Sequence, residues 1–109
     1  MFNRQKFNER VQEEFAQFRN QTLKLSKEEI FEKGFEIDFK TYITQYLTNE
    51  ETASDKTCEM LNNSQVAILD VLFDIYLNNN TFYTYQDICE EIIELFEDVV
   101  DLDGVNNLD

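Results

Sequence analysis

Apolar residues recur at helical intervals along most of the chain. Phe7, Val11, Phe15 and Phe18 follow one another at four, four and three residues with charged and amide side chains between them, the period of one helical face. That spacing predicts a first helix over about residues 3–23. Leu25-Ser26-Lys27-Glu28-Glu29-Ile30 reads as a capping box, with Ser26 accepting from the first turn, Glu29 reaching back, and Leu25 and Ile30 suited to a hydrophobic staple. A short helix follows, and Gly34 is expected to stop it in the left-handed conformation that glycine adopts without penalty. Phe35, Phe39, Tyr42, Ile43, Tyr46 and Leu47 form the next apolar stripe and predict a helix, although the alternation over 35–39 also suits a short extended opening.

Further on, Ala53, Cys58, Met60 and Leu61 predict a fourth, short helix ending at Asn62-Asn63. Ser64 is expected to cap a fifth, whose Val66, Leu69, Leu72, Phe73, Tyr76 and Leu77 are almost continuously apolar, as a central helix requires. A polar turn, Asn78-Asn79-Asn80-Thr81, precedes Thr84, which with Asp87 three residues on predicts the cap of a last helix running to about Leu102.

Composition narrows the fold class. The 109 residues include no proline and only two glycines, so the turn chemistry of many-stranded β folds is nearly absent, while helices joined by Asn, Ser and Thr loops need neither residue. The expected fold is all-α: one compact domain over residues 1–109, a bundle of about five or six helices ending in an amphipathic acidic helix. With 42% hydrophobic residues and 14% aromatics, the chain carries too much apolar area for intrinsic disorder. Cys58 and Cys89 stand 31 residues apart without a motif, and are expected as buried apolar thiols. No segment approaches the ~20 apolar residues of a membrane span, so a soluble protein of the cytoplasm is expected.

Charge changes the picture, because it is unevenly placed. The formal net charge is −14, yet Lys56 is the last basic residue; residues 1–56 hold eleven acids and nine bases, and residues 57–109 hold twelve acids and no base. On a helical wheel Asp87, Glu90, Glu91, Glu94, Glu97, Asp98 and Asp101 share an arc of about 120°. Tyr85, Ile88, Cys89, Ile92, Phe96 and Val99 take the opposite side and would face the core. Asp70 and Asp74, four apart on the fifth helix, would extend this ridge if the last two helices pack antiparallel. Solubility alone asks for a net charge of only ~2–8 with mixed signs, and Glu97, Asp98 and Asp101 also oppose the negative end of the helix dipole. A feature that destabilises the free monomer points to a cationic partner; nucleic acid and anionic membranes would be repelled.

Catalytic chemistry is hard to find. The chain has no histidine, which removes Ser-His and Cys-His nucleophile systems and the imidazole general base. Gly34 and Gly104 stand alone, so no phosphate-binding loop exists. Placing Gly104 at the sixth position of a calcium loop aligns Asp101 and Asp103 but puts Val99 at the first position and runs past Asp109 before the bidentate Glu. The reading is a non-enzyme with no cofactor and no metal site.

The acidic stretch Asp87–Asp101, in a small helical chain without catalytic groups, resembles the DNA-mimic inhibitors that phages and mobile elements direct at host nucleases, anti-CRISPR proteins among them. That resemblance implies a non-catalytic inhibitor in a bacterial cytoplasm that docks Asp70, Asp74, Asp87, Glu90, Glu91, Glu94, Glu97, Asp98 and Asp101 in the basic nucleic-acid groove of a partner, such as a Cas nuclease of the Cas9 type or another nucleic-acid-binding protein. Separately, LSKEEIFEKGFEIDFKTYI, Leu25–Ile43, resembles a segment of small uncharacterised proteins of Gram-positive bacteria and their mobile elements. The alternative is a helical interaction or regulatory module, a homodimer or the acidic half of a toxin–antitoxin pair, binding through apolar residues such as Phe82 or Tyr83. A divalent-cation binder is a third class.

Overall fold

The computed structural model describes residues 2–78 and 85–102, with residues 85–88, 101 and 102 described as backbone alone. Six helices and no strand are found among them: α1 (Arg4–Thr22), α2 (Lys27–Glu32), α3 (Gly34–Leu47), α4 (Asp55–Asn62), α5 (Ile68–Leu77) and α6 (Tyr85–Leu102). The all-α expectation therefore holds. No helix among the described residues is long and apolar enough to cross a membrane.

Local capping explains most of the boundaries. Asn3 caps α1 by accepting from the Lys6 amide, and Ser54 caps α4 by accepting from the Thr57 amide. The capping box at α2 is complete, with the Glu29 amide donating to Ser26 Oγ at 3.2 Å and the Ser26 amide donating to Glu29 Oε1 at 3.0 Å. The Ser26 amide foremost, and then the Ser26 hydroxyl, hold the Glu29 carboxyl below its ordinary range by favouring the anion.

Two expected boundaries differ. Gly34 is not a left-handed stop: Lys33 (φ −90°, ψ 13°) ends α2, and Gly34 opens α3, which runs helically from the first residue of 35–39 with no extended piece. Ser64 does not cap α5, because its hydroxyl donates to the Leu61 carbonyl and α5 starts later, at Ile68. The expected cap at Thr84 and Asp87 lies outside the described side chains.

The two long helices, α1 and α6, both pack against α3, α4 and α5, and α2 rests on α3. Phe7 and Val11 enter the core from α1, Phe39, Ile43 and Leu47 from α3, Cys58 and Leu61 from α4, Leu69 and Leu72 from α5, and Cys89, Ile92 and Phe96 from α6. Burying each large apolar side chain stabilises the fold by about 1.5–3 kcal/mol. Phe39 stacks on Tyr76 with ring centroids 4.8 Å apart and meets Phe73 at 5.7 Å, which fixes α3 against α5. Phe15 and Phe18, on one helical face with the buried Phe7 and Val11, are only half-buried, and Phe35, expected in the α3 stripe, is 76% exposed. Phe35 lies on the same side of α3 as Phe39 but in the first turn of the helix, outside the buried cluster that Phe39 joins. Both thiols are buried and unbridged, as expected.

Candidate functional site

The acidic side of α6 forms because its other side is held by the core. Cys89, Ile92, Ile93 and Phe96 are all buried, which sets the rotation of the helix about its axis. Glu90, Glu91, Glu94, Glu97 and Asp98 are consequently all exposed. From Glu90 to Asp98 these carboxylates run about 12 Å along the helix. The side chains of Asp87 and Asp101 lie outside the described residues; their backbone positions continue the same helix. Among the described residues no group of three or more acidic or thiol side chains converges as a metal cage would, so the carboxylates act as separate charges along a line.

Four cations, Arg4, Arg10, Lys33 and Lys40, are engaged at other elements. Arg4 donates to Asp55 Oδ1 at 2.8 Å and to the carbonyls of Leu47 and Ala53, tying α1 to the α3–α4 connection. Arg10 donates to the carbonyls of Asn62, Ser64 and Val66. Beside it, Glu14 accepts from the amides of Ile68 and Leu69 at 3.2 and 2.9 Å, so a carboxylate from α1 caps α5, which has no side-chain cap of its own. Lys33 pairs with Glu36 at 3.2 Å, and Lys40 pairs with Glu36 at 2.7 Å and with Asp70. Among the described residues no ion pair reaches Glu90, Glu91, Glu94, Glu97 or Asp98. Lys56 lines a cleft between α4 and α6 together with Glu97, Met60 and Phe96.

The two acids expected to extend the ridge separate. Asp70 faces α3, where it meets the Lys40 ammonium, itself only 2% exposed and set 4.3 Å from the centroid of the Phe18 ring. Its charge is matched inside a cleft of about 440 Å³ between α1, α3 and α5. Asp74 is exposed and lines a groove between α5 and α6 together with Val71, Leu95 and Val99. So the fold brings Asp74 beside α6 and withdraws Asp70 from it. Sequence reasoning did not anticipate the buried Lys40. The Glu36–Lys40 interval of four was a readable signal, whereas nothing local linked Lys40 to Asp70, thirty residues on.

Burial sets the state of the buried acids of the core. Desolvation pushes the Cys58 thiol up to about 11 and the Cys89 thiol up to about 12, and it also raises the Tyr46 phenol. Cys58 Sγ donates to the Leu47 carbonyl at 3.6 Å. These are thiols shaped for packing, neutral across the physiological range. Away from α6, Phe31 at 86% and Phe35 at 76% exposure stand on either side of the α2–α3 junction, four residues apart in sequence. Phe82 and Tyr83, expected as apolar contact residues, lie outside the described residues. Compared with known proteins, the chain matches no family model, no curated protein and no solved structure.

Proposed function

We propose that this protein is a non-catalytic inhibitor that binds the basic nucleic-acid groove of a nuclease, of the kind anti-CRISPR proteins target, and that it presents α6 as a mimic of the phosphate backbone. The observation that carries the reading is the exposed row Glu90, Glu91, Glu94, Glu97 and Asp98 on a helix whose rotation the core fixes, in a chain whose Arg4, Arg10, Lys33 and Lys40 are engaged at other elements. Like charges left together on a folded surface are relieved by a basic partner, and partner lysines and arginines that ordinarily meet phosphates would meet these carboxylates instead.

The test is a pull-down from cells carrying candidate nucleases at low and high salt, followed by a cleavage assay with the captured enzyme. Native protein should capture a nucleic-acid-binding protein in a salt-sensitive way and inhibit it. The quadruple reversal E90K/E94K/E97K/D98K should lose at least about tenfold in affinity, since desolvated charge pairs at interfaces couple by ~1.5–7 kcal/mol. Unchanged capture and inhibition by the reversed protein would exclude the ridge as the interface.

A second reading is favoured by the exposed Phe31 and Phe35: a helical interaction or regulatory module binding through apolar residues. Its signature is association that survives high salt and is lost in F31S/F35S.

A further inference from the structure

The groove between α5 and α6 adds something that a line of charge lacks. Its lining includes Val71, Ile75, Leu95 and Val99, and it measures about 260 Å³, below the ~300–1,000 Å³ of sites that enclose a drug-sized molecule. Such a volume suits one or two inserted side chains. Both rims are acidic. Asp74 lines the groove on the α5 side, and on α6 the helical period puts Glu91 one turn before Leu95, and Asp98 one turn after Leu95 and next to Val99. Asp74, Glu91 and Asp98 are all exposed, while Val71, Leu95 and Val99 are half-buried.

An apolar trough between two anionic edges selects its occupant. A second copy of this chain, also at −14, would bring carboxylates against carboxylates. A nucleic acid would do the same with phosphates. A segment with an apolar strip flanked by cations on both sides satisfies floor and rims together, and an amphipathic basic helix carries that pattern at the spacing of a helix-in-groove contact.

We propose that the α5–α6 groove is the apolar half of a composite docking site for an amphipathic basic helix of the partner, whose Leu- or Phe-type side chains enter between Val71 and Val99 while its lysines and arginines meet Asp74 on one rim and Glu91 and Asp98 on the other. The inference rests on α6 facing a basic protein and sharpens what that protein presents there. It accounts for geometric selectivity, because charge along a line is screened within ~8 Å at cellular salt and fixes little about orientation, whereas an inserted side chain fixes register.

The experiment uses two synthetic peptides of about 18 residues, five helical turns. One is an amphipathic Leu/Lys helix; the other keeps every lysine and replaces each leucine by serine. Binding to the full chain is followed by methyl-detected NMR and fluorescence anisotropy. The Leu/Lys peptide should bind at least about tenfold tighter than its isocharged control, with the largest shifts at Val71, Leu95 and Val99. V71S/V99S should lose about that factor for the Leu/Lys peptide and nothing for the control, and the ridge reversal E90K/E94K/E97K/D98K should weaken both peptides. Equal affinity of the two peptides, or shifts that spare the groove methyls, overturns the groove proposal and leaves the ridge reading standing. Binding of both peptides unaffected by the reversal overturns the two together. A concentration-dependent change at the same methyls without peptide would make a second copy the occupant and overturn the proposal as well. The peptide comparison on the native chain decides whether or not V71S/V99S folds.

Discussion

Lys40 shows how one residue's energetics follow from what surrounds it. Its ammonium is buried, yet it has Glu36, Asp70 and the face of Phe18 as partners, which offsets the desolvation cost of burying the charge. The consequences of deleting each partner differ. Lys40→Met leaves Glu36 paired with Lys33, and leaves Asp70, whose side chain is 69% exposed, to water; the expected cost is under about 1.5 kcal/mol. Glu36→Ala leaves a buried ammonium with the Phe18 face and a single, mostly hydrated carboxylate, Asp70, and is expected to cost about 2–4 kcal/mol. Urea denaturation of both variants checks the order, and a costlier Lys40→Met would contradict it. The thiols give a second residue-scale expectation. Cys58 and Cys89 stay neutral in the fold up to about 11 and about 12 against an ordinary value of 9.0, so their contribution is intact below 9 and is lost as pH rises from there through 12. At pH 8 a thiol reagent should label neither cysteine in the native chain and both in denaturant, monitored by mass.

At the scale of elements, the proposed binding surface depends on contacts far from it. α5 has no cap in its own sequence; Glu14 of α1 supplies it, and Arg10 holds the three carbonyls leading into it. Since α5 forms one wall of the groove beside α6, α1 positions that wall through Glu14 and Arg10. Glu14→Ala is expected to destabilise the fold by about 1–2 kcal/mol, the usual worth of a cap. Arg10→Lys should cost about as much, because an ammonium cannot serve several carbonyls with a planar fork. Amide hydrogen exchange would locate the effect: protection should fall first at Ile68 and Leu69. Loss spread evenly over the chain would argue against the cap.

For the whole molecule, charge and stability oppose one another. The acids of residues 57–109 are uncompensated in sequence, and the described ridge residues are unpaired in space. Raising salt from low to moderate ionic strength screens that repulsion and should raise the melting temperature by about 2–6 °C. The quadruple reversal moves the formal charge by +8, from −14 to −6, and places cations near the C-terminal end of α6, where the dipole favours them. It should melt higher than the native chain at low salt while binding its partner worse. Calorimetry on both proteins checks this; a reversed protein that melts lower would mean the carboxylates stabilise the fold through contacts other than a partner.

Much of this was written locally. The α1 boundaries, the Ser26–Glu29 capping box, the buried cysteines and the rotation of α6 follow from periodicity, capping chemistry and the apolar side of a helix, all set within a few turns of chain. Gly34 misled because a glycine after a short helix satisfies the sequence rule for a stop, while the chain here continues into α3 without needing a positive φ. Phe35 misled because a wheel assigns a stripe but not how many of its members find a neighbour. Other features needed distant partners: Asp70 against Lys40, Glu14 on α5, and Asp74 across a groove from Leu95 and Val99. By itself the sequence determined an all-α chain with an anionic helix, since local propensity and amphipathic spacing suffice for both. Only the packing of α5 on α6 decided which acids border that helix and where an apolar groove opens between them, because side chains far apart in sequence are sorted by the geometry that buries the core.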